Sequence, residues 1–202
     1  MKHLLAVCLS LALASNPVWA GGGENGKAAN PTTTTTEQPA TTIQWLSIQE
    51  AEKLVKTNPK PILIDIYADW CGWCKKLDKN TFQHPDIVEY VNENFYAVKL
   101  DAEMRTPVTV SGREYKYITD GKRGTHELAL ALTNGQMSLP TMVVLSSKMA
   151  QMGIIPGYQE PTDMDAILHY FATGSYEKNI PWGVFQKIIA RASQANKHCL
   201  GQ

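Results

Sequence analysis

The chain has 202 residues, with 19 lysines and arginines balanced by 19 aspartates and glutamates, so its formal net charge at pH 7 is zero. This length is enough for one domain with a complete hydrophobic core. The charge balance gives no strongly basic face, and we therefore expect no nucleic-acid partner.

The first twenty residues have the pattern of a secretory signal peptide. Met1-Lys2-His3 precede an apolar run over residues 4–14, and Val18-Trp19-Ala20 place small residues where a signal peptidase cuts. The run is shorter than the roughly 20 residues that a membrane-spanning helix needs. We predict a signal peptide over residues 1–20, which carries Cys8, and export to the periplasm or beyond; a retained N-terminal anchor is the alternative.

Residues 21–42 predict a flexible linker. They contain glycine, asparagine and proline with five consecutive threonines at 32–36. The segment has no apolar periodicity, so it buries too little surface to offset the entropy of ordering it. A glycan-bearing stalk has a similar composition.

The first half of the remaining chain predicts alternating helices and strands. Ser47 and Glu50 have the spacing of a capping box, which starts a helix. Its expected apolar face is Ile48, Ala51, Leu54 and Val55. After Asn58-Pro59 we expect a strand over 62–67 and a helix after Cys71. His84-Pro85-Asp86 then starts another helix, with Ile87, Val88 and Val91 facing inward. A strand over 95–100 follows. This order predicts parallel strands with a right-handed crossover.

The second half begins with residues 106–124, where strands 108–110 and 114–117 predict a small hairpin. Thr125 is expected to cap the next helix, which Asn134-Gly135 ends. A strand over 142–145 and an antiparallel partner over 149–155 are predicted next. A helix over 163–172 follows, and the residues expected to face inward are Met164, Ile167, Leu168 and Phe171. A last helix starts at Pro181, and the residues on one side of it are Trp182, Phe185, Ile188, Ile189 and Ala192.

Cys71-Gly72-Trp73-Cys74 lies where the apolar strand meets the following helix. At a helix start, unpaired N–H groups and the macrodipole favour a negative charge, which lowers the pKa of a thiol. Cys71 is therefore the candidate nucleophile, and Cys74, one turn later, can resolve a mixed disulfide. Alternatives are a static disulfide, or a zinc site formed with His198 and Cys199.

Several motifs carry a family resemblance. Residues 65–75 resemble the active-site segment of thioredoxins. A second resemblance is to the C-terminal domain of DsbD-type thiol:disulfide interchange proteins and to small secreted thioredoxin-like proteins. It is carried by residues 67–71, Lys75-Lys76 and Thr81-Phe82. The resemblance covers roughly residues 43–175. It implies an α/β thioredoxin fold over 43–202, a central mixed sheet flanked by helices, with 106–124 as an insertion before the cis-proline strand and an extra C-terminal helix.

The resemblance assigns catalytic roles to Asp65 and Lys99. Asp65 matches the buried family aspartate and would take the proton of Cys74 when that thiol attacks. Lys99 matches the lysine partner, so burial should raise the pKa of Asp65 while Lys99 opposes the rise. Alternatively, Asp65 is only a satisfied buried carboxylate.

The resemblance also marks a substrate-contacting rim. Pro140 matches a cis proline that faces the cysteines, and Leu139 would offer backbone groups to an extended substrate; an ordinary trans turn is the alternative. Trp70 would shield the sulfurs beside Gly72. Trp73 replaces the proline of the commonest motif, and either binds substrate or packs on the insertion.

These observations predict an exported thiol–disulfide oxidoreductase that reduces protein disulfides. It would need no cofactor beyond the redox-active disulfide Cys71–Cys74, and no metal. Its partners would be disulfide-bearing proteins and a membrane thiol protein that supplies or accepts electrons. The motif lacks the histidine found between the cysteines of strong oxidants and isomerases, but an oxidase, an isomerase or a redox-inactive polypeptide-binding module remain alternatives.

Cys199 is left outside this scheme. Near the end of the chain it is most simply an exposed thiol. A cross-link to a second chain and a third redox partner are its other possible roles.

Overall fold

The structure is a computed structural model that describes residues 40–119, 121 and 123–199. The predicted signal peptide and nearly all of the predicted linker lie outside these residues. Nothing in the described part of the chain tests the predicted domain boundaries.

Strands and helices alternate at first and give way to two short ribbons before the chain returns to the sheet. The strands are β1 (Trp45–Leu46), β2 (Ile62–Tyr67), β3 (Tyr96–Asp101), β4 (Val108–Val110), β5 (Arg113–Tyr115), β6 (Tyr117–Thr119), β7 (Gly124–His126), β8 (Thr141–Leu145) and β9 (Gln151–Pro156). The helices are α1 (Ile48–Thr57), α2 (Gly72–Asn80), α3 (Pro85–Asn94), α4 (Glu127–Leu132), α5 (Pro161–Ala172) and α6 (Trp182–Cys199).

The central sheet has five strands in the order β1-β3-β2-β8-β9. β1, β3 and β2 are parallel, whereas β8 and β9 run antiparallel to their neighbours. The predicted thioredoxin fold and the parallel β–α–β unit are therefore confirmed. The register places Asp65 of β2 opposite Lys99 of β3.

Alternation along β2 divides the hydrophobic core between the two faces of the sheet. Leu63 contacts the cluster that includes residues of α2, α3 and α5, whereas Ile62, Ile64 and Ile66 contact the cluster under α1 and α4. Successive side chains of a strand point to opposite faces, so Asp65 shares the face of Leu63. That face is the one covered by α2, the helix that carries Cys74.

Helix α1 begins as the sequence predicts. Ser47 and Glu50 form a complete capping box, and Ile48, Ala51 and Val55 are buried. Leu54 was expected on the same face but is 38% exposed. The prediction for Leu54 was wrong because the buried stripe of this helix is narrower than its apolar stripe.

The predicted insertion contains two ribbons. The predicted hairpin is present as β4 paired with β5, although its second strand ends at Tyr115. A second ribbon, β6 paired with β7, was not predicted. A Cβ on Gly124 would lie 2.5 Å from the ring of Tyr117, so this ribbon requires glycine at that position.

The cap of α4 also differs from the prediction. Thr125 lies in β7 and donates its hydroxyl hydrogen bond to the carbonyl of Ala102. His126 is the N-cap instead, and its Nδ1 accepts the N–H of Leu128. The unpredicted strand β7 includes Thr125 and His126, so the helix begins one residue later than expected and His126 becomes its cap.

The C-terminal helix packs on α5 through aromatic rings. Trp182 and Phe185 both contact Tyr170 edge to face. Ile188, predicted on the same side, is 50% exposed, so that part of the prediction was wrong. Within the described residues, no helix is both long and apolar enough to cross a bilayer.

Two leucines test this description of the core. Leu168 of α5 is fully buried, whereas Leu54 of α1 is 38% exposed. Leu168→Ala should lower the free energy of unfolding by about 2–5 kcal/mol because it leaves a cavity. Leu54→Ala should lower it by less than about 1 kcal/mol. Urea denaturation measures both, and equal losses would contradict the packing described here.

Candidate redox site

Cys71 and Cys74 form a disulfide at the start of α2, with an S–S distance of 2.04 Å. Cys71 is the N-cap of this helix, and its Sγ accepts a hydrogen bond from the N–H of Cys74 at 3.0 Å. The first sulfur therefore occupies the position that the sequence predicts, among unpaired N–H groups at the positive end of a helix.

The disulfide is nearly enclosed. Cys71 is 4% exposed and Cys74 is 2% exposed. Both pack with Ala68, and Tyr67 and Leu139 contact this small cluster. Both cysteines are therefore buried in the oxidised protein.

The Leu139–Pro140 peptide bond is cis, as predicted. Pro140 is buried, and Leu139 packs against the cysteines. Neither the N–H nor the C=O of Leu139 has a hydrogen-bond partner among the residues that the structure describes. Backbone groups of a folded protein are normally paired, so these two are available to an extended chain.

Two tryptophans flank the disulfide, and each is more than half exposed: Trp70 at 59% and Trp73 at 58%. The indole Nε1 of Trp70 donates to Glu103 at 3.0 Å. Trp73 packs on Tyr158, with 5.7 Å between ring centroids, and Lys76 lies over both rings. The aromatic partner of Trp73 is thus Tyr158, between β9 and α5, rather than the insertion.

A buried carboxylate lies on the sheet face that the cysteine helix covers. Asp65 is 1% exposed and shares the sheet face that α2 covers. Lys99 donates to Asp65 Oδ2 at 2.6 Å and also to Asp78 of α2. Asp78 lies one helical turn after Cys74, on the same side of α2. The lysine therefore connects Asp65 to the helix face that carries Cys74.

Asp78 was not predicted. Its position four residues after Cys74 is the signal that could have revealed it, because residues i and i+4 share a helix face. Such a signal is weak without the fold, since Lys75, three residues earlier on the same helix, is nearer in sequence and could also pair with Asp78. The structure selects Lys99 instead, from the neighbouring strand.

Burial raises the pKa of Asp65 to about 6, and the charge and hydrogen bond of Lys99 oppose this rise. Burial also acts to lower the pKa of Lys99, but Asp65 and Asp78 outweigh it, and the net pKa is raised. The prediction that burial and Lys99 oppose each other at Asp65 is confirmed. Asp65 Oδ1 has no hydrogen-bond partner among the described residues, which leaves it free to receive a proton.

Aromatic rings surround the lysine. Lys99 Nζ lies 4.9 Å from the ring centroid of Trp45 and 5.0 Å from that of Tyr67, with Phe82 slightly farther. Ring faces attract a cation, and more strongly where water is excluded. These rings help to keep a charged lysine beside Asp65.

In the part of the chain that the structure describes, no three His, Cys, Asp or Glu side chains come together as a metal site. The zinc alternative depends on the side chains of His198 and Cys199, which lie outside the described side chains. In the oxidised state seen here, the sulfurs of Cys71 and Cys74 are bonded to each other.

The five-stranded mixed sheet, the cis proline and the disulfide at a helix start define the class of thiol–disulfide oxidoreductase folds. Residues 48–172 match the family described as the Thioredoxin-like domain. The chain belongs to this family.

The chain is also similar to short segments of two longer proteins. The chain is 36% identical to the thiol:disulfide interchange protein DsbD of Citrobacter koseri over 56 residues, 28% of this chain and 9% of that protein. It is 37% identical to spermatogenesis-associated protein 20 of Rattus norvegicus over 60 residues, 30% of this chain and 8% of that protein. The match therefore spans less than a tenth of either relative's length.

Among solved structures, a thioredoxin-fold protein from Helicobacter pylori superimposes with a TM-score of 0.50. The alignment covers 70% of this chain and 87% of that one, at 18% sequence identity. At this identity the similarity establishes the fold.

The buried carboxylate gives a pH-dependent prediction. The pKa of Asp65 in the folded chain, about 6, lies above its ordinary value of 3.8. Protonated Asp65 therefore stabilises the fold at low pH, and this contribution is lost as the pH rises through 6. Asp65→Asn should leave the free energy of unfolding unchanged near pH 4 and raise it at pH 7.5 by up to about 3 kcal/mol.

Denaturation of the oxidised protein between pH 4 and 8 measures this difference. Asp78→Asn is the matched control, since it removes the carboxylate that is 41% exposed from the same lysine. It should change stability by less than about 1 kcal/mol. Loss of stability at pH 7.5 in Asp65→Asn would contradict the description of Asp65 as a destabilising buried charge.

Proposed function

We propose that the protein is an exported thiol–disulfide oxidoreductase that reduces disulfides in other proteins. The observation that carries the proposal is the position of Cys71 Sγ at the N-cap of α2, where it accepts the N–H of Cys74. The same hydrogen bond and the helix dipole stabilise a thiolate after the disulfide is reduced. A thiolate is the nucleophilic form of cysteine, so this geometry prepares Cys71 to attack.

The first step is attack by the Cys71 thiolate on one sulfur of a substrate disulfide. A mixed disulfide forms between Cys71 and the substrate, and the other substrate sulfur leaves as a thiolate. The substrate chain lies against Leu139, whose N–H and C=O have no partner among the described residues and can pair with its backbone. Trp70 and Trp73 provide apolar surface on either side.

The second step is resolution by Cys74. Asp65 takes the proton from the Cys74 thiol, directly or through one water, and a pKa of about 6 suits a base that works near neutral pH. The Cys74 thiolate then attacks Cys71 Sγ, the substrate leaves with both sulfurs reduced, and the Cys71–Cys74 disulfide re-forms. Two electrons pass from the enzyme to the substrate.

The reducing direction is supported by the motif and by similarity. No histidine lies between Cys71 and Cys74. The local similarity to a thiol:disulfide interchange protein favours a role in electron transfer between thiol proteins. A membrane thiol protein is the proposed electron donor, and the N-terminal pattern over residues 1–20 supports export.

Two cysteine variants test the proposal. The reduced wild type should reduce insulin disulfides, and Cys71→Ser should lose this activity because the thiol at the helix start, which attacks the substrate, is gone. Cys74→Ser should retain the first step and accumulate a mixed disulfide with the substrate, visible by mass spectrometry. If Cys71→Ser retained the wild-type rate, the assignment of Cys71 would be wrong.

A redox titration against glutathione tests the direction. We expect a reduction potential closer to the thioredoxin value of about −270 mV than to the DsbA value of about −120 mV. A potential near the latter would identify an oxidase instead.

A further inference from the structure

A groove of about 580 Å³ adjoins the disulfide. Its lining includes Ile118 of the unpredicted ribbon of β6 and β7, Leu130 of α4, and Met137. The lining also includes Trp70 and Leu139, and Leu139 contacts the cluster that contains the two cysteines. The minimal core of the fold, as the resemblance describes it, does not include this ribbon, so the groove is a feature of the insertion.

The groove is continuous with the redox site. Leu139 contacts the cluster of Cys71 and Cys74 and also lines the groove. Trp70 immediately precedes Cys71 and lines the groove as well. A polypeptide that brings a disulfide to Cys71 therefore has its neighbouring residues at the mouth of the groove.

The chemistry of the groove favours a polypeptide with a large apolar side chain. The N–H and C=O of Leu139 both lack partners among the described residues, and a peptide backbone supplies a matching acceptor and donor together. Ile118 is 43% exposed and Trp70 is 59% exposed, so both present apolar surface that a bound side chain would cover.

The side chain of Trp70 is held in place before any substrate binds. Glu103 accepts the indole N–H of Trp70, and the guanidinium of Arg123 lies 5.5 Å from the ring centroid. One charge of each sign therefore lies beside the tryptophan. These two contacts hold the indole ring in place. Because the two charges are opposite, they give the groove no clear preference for a charged substrate, and apolar contact is left as the source of selectivity.

We propose that the β6–β7 ribbon makes this groove a specificity site for a bulky apolar residue next to the cysteine of a polypeptide disulfide. The inference rests on the proposed function, because it concerns the substrate of the same disulfide exchange. Ile118 is the main specificity-determining residue of the ribbon. It contacts the substrate side chain and takes no part in the transfer of electrons.

Single-turnover kinetics test the proposal. The protein is reduced with dithiothreitol, freed of it, and mixed with one of two oxidised peptides. The peptides carry the same intramolecular disulfide and differ only in having leucine or serine beside one cysteine. Each turnover converts the peptide disulfide to two thiols and the Cys71 and Cys74 thiols to a disulfide, so the electrons balance without another reductant.

The wild type should react with the leucine peptide about tenfold faster than with the serine peptide, as for other apolar side-chain pockets. Ile118→Ser should remove most of this preference, and Ile118→Leu should keep it. Ile188→Ser is the matched control, because Ile188 is 50% exposed on α6 and lies away from the groove lining. Its preference should equal that of the wild type.

Equal rates of the wild type with both peptides would overturn the inference and leave the proposed function standing. Failure of the reduced wild type to react with either peptide would instead overturn the proposed function, and the inference with it. If Ile118→Ser reacted faster than the wild type with both peptides, Ile118 would be hindering substrates rather than binding them. That result would indicate that another part of this chain occupies the groove through Ile118, and it would also overturn the proposal.

Discussion

The hydrogen bond from the N–H of Cys74 to Cys71 Sγ is the interaction on which the rest of the site depends. It exists because β2 ends at Tyr67 and a turn, in which the N–H of Cys71 donates to the carbonyl of Ala68, places Cys71 as the cap of α2. A capping sulfur satisfies one of the N–H groups that every helix start leaves unpaired, and a thiolate satisfies it better than a thiol. The fold thus couples a structural need of the helix to the reactivity of one cysteine.

The second constraint is a charge that the fold accommodates at a cost. Asp65 lies on the core side of the central strand, where a carboxylate is unfavourable unless it is paired. Lys99 and Asp78 provide the pairing, and aromatic rings cover the lysine. The remaining imbalance raises the pKa of Asp65 to about 6, which is the property that a proton acceptor for Cys74 requires. The buried charge of Asp65 lowers the stability of the fold, and the same burial gives Asp65 the pKa that proton transfer from Cys74 needs.

The sheet, its helices and the cysteine site could be predicted because they depend on local signals. The apolar run of β2, the capping box at Ser47 and the Cys-x-x-Cys spacing each fix a conformation within a few residues. Contacts between distant segments left no such signal: Asp78 pairs with Lys99 across 21 residues, and Trp73 finds Tyr158 beyond β9. The ribbon of β6 and β7 was missed because the sequence pattern assigned Tyr117 to the preceding hairpin and Thr125 to a helix cap, which left no pair of segments for a second ribbon. Leu54 and Ile188 fit the apolar periodicity of their helices, but no neighbouring element in the described part of the chain covers them and both are exposed.

The pKa of the Cys71 thiol in the reduced protein tests the central claim most directly. The pH dependence of alkylation by iodoacetamide, with the labelled cysteine located by fragmenting the peptide in a mass spectrometer, separates this thiol from Cys74 and Cys199. The helix start predicts a pKa at least about one unit below the ordinary value of about 8.5. A pKa of about 8.5 or higher would show that burial outweighs the helix N-terminus, and would contradict the assignment of Cys71 as the activated nucleophile.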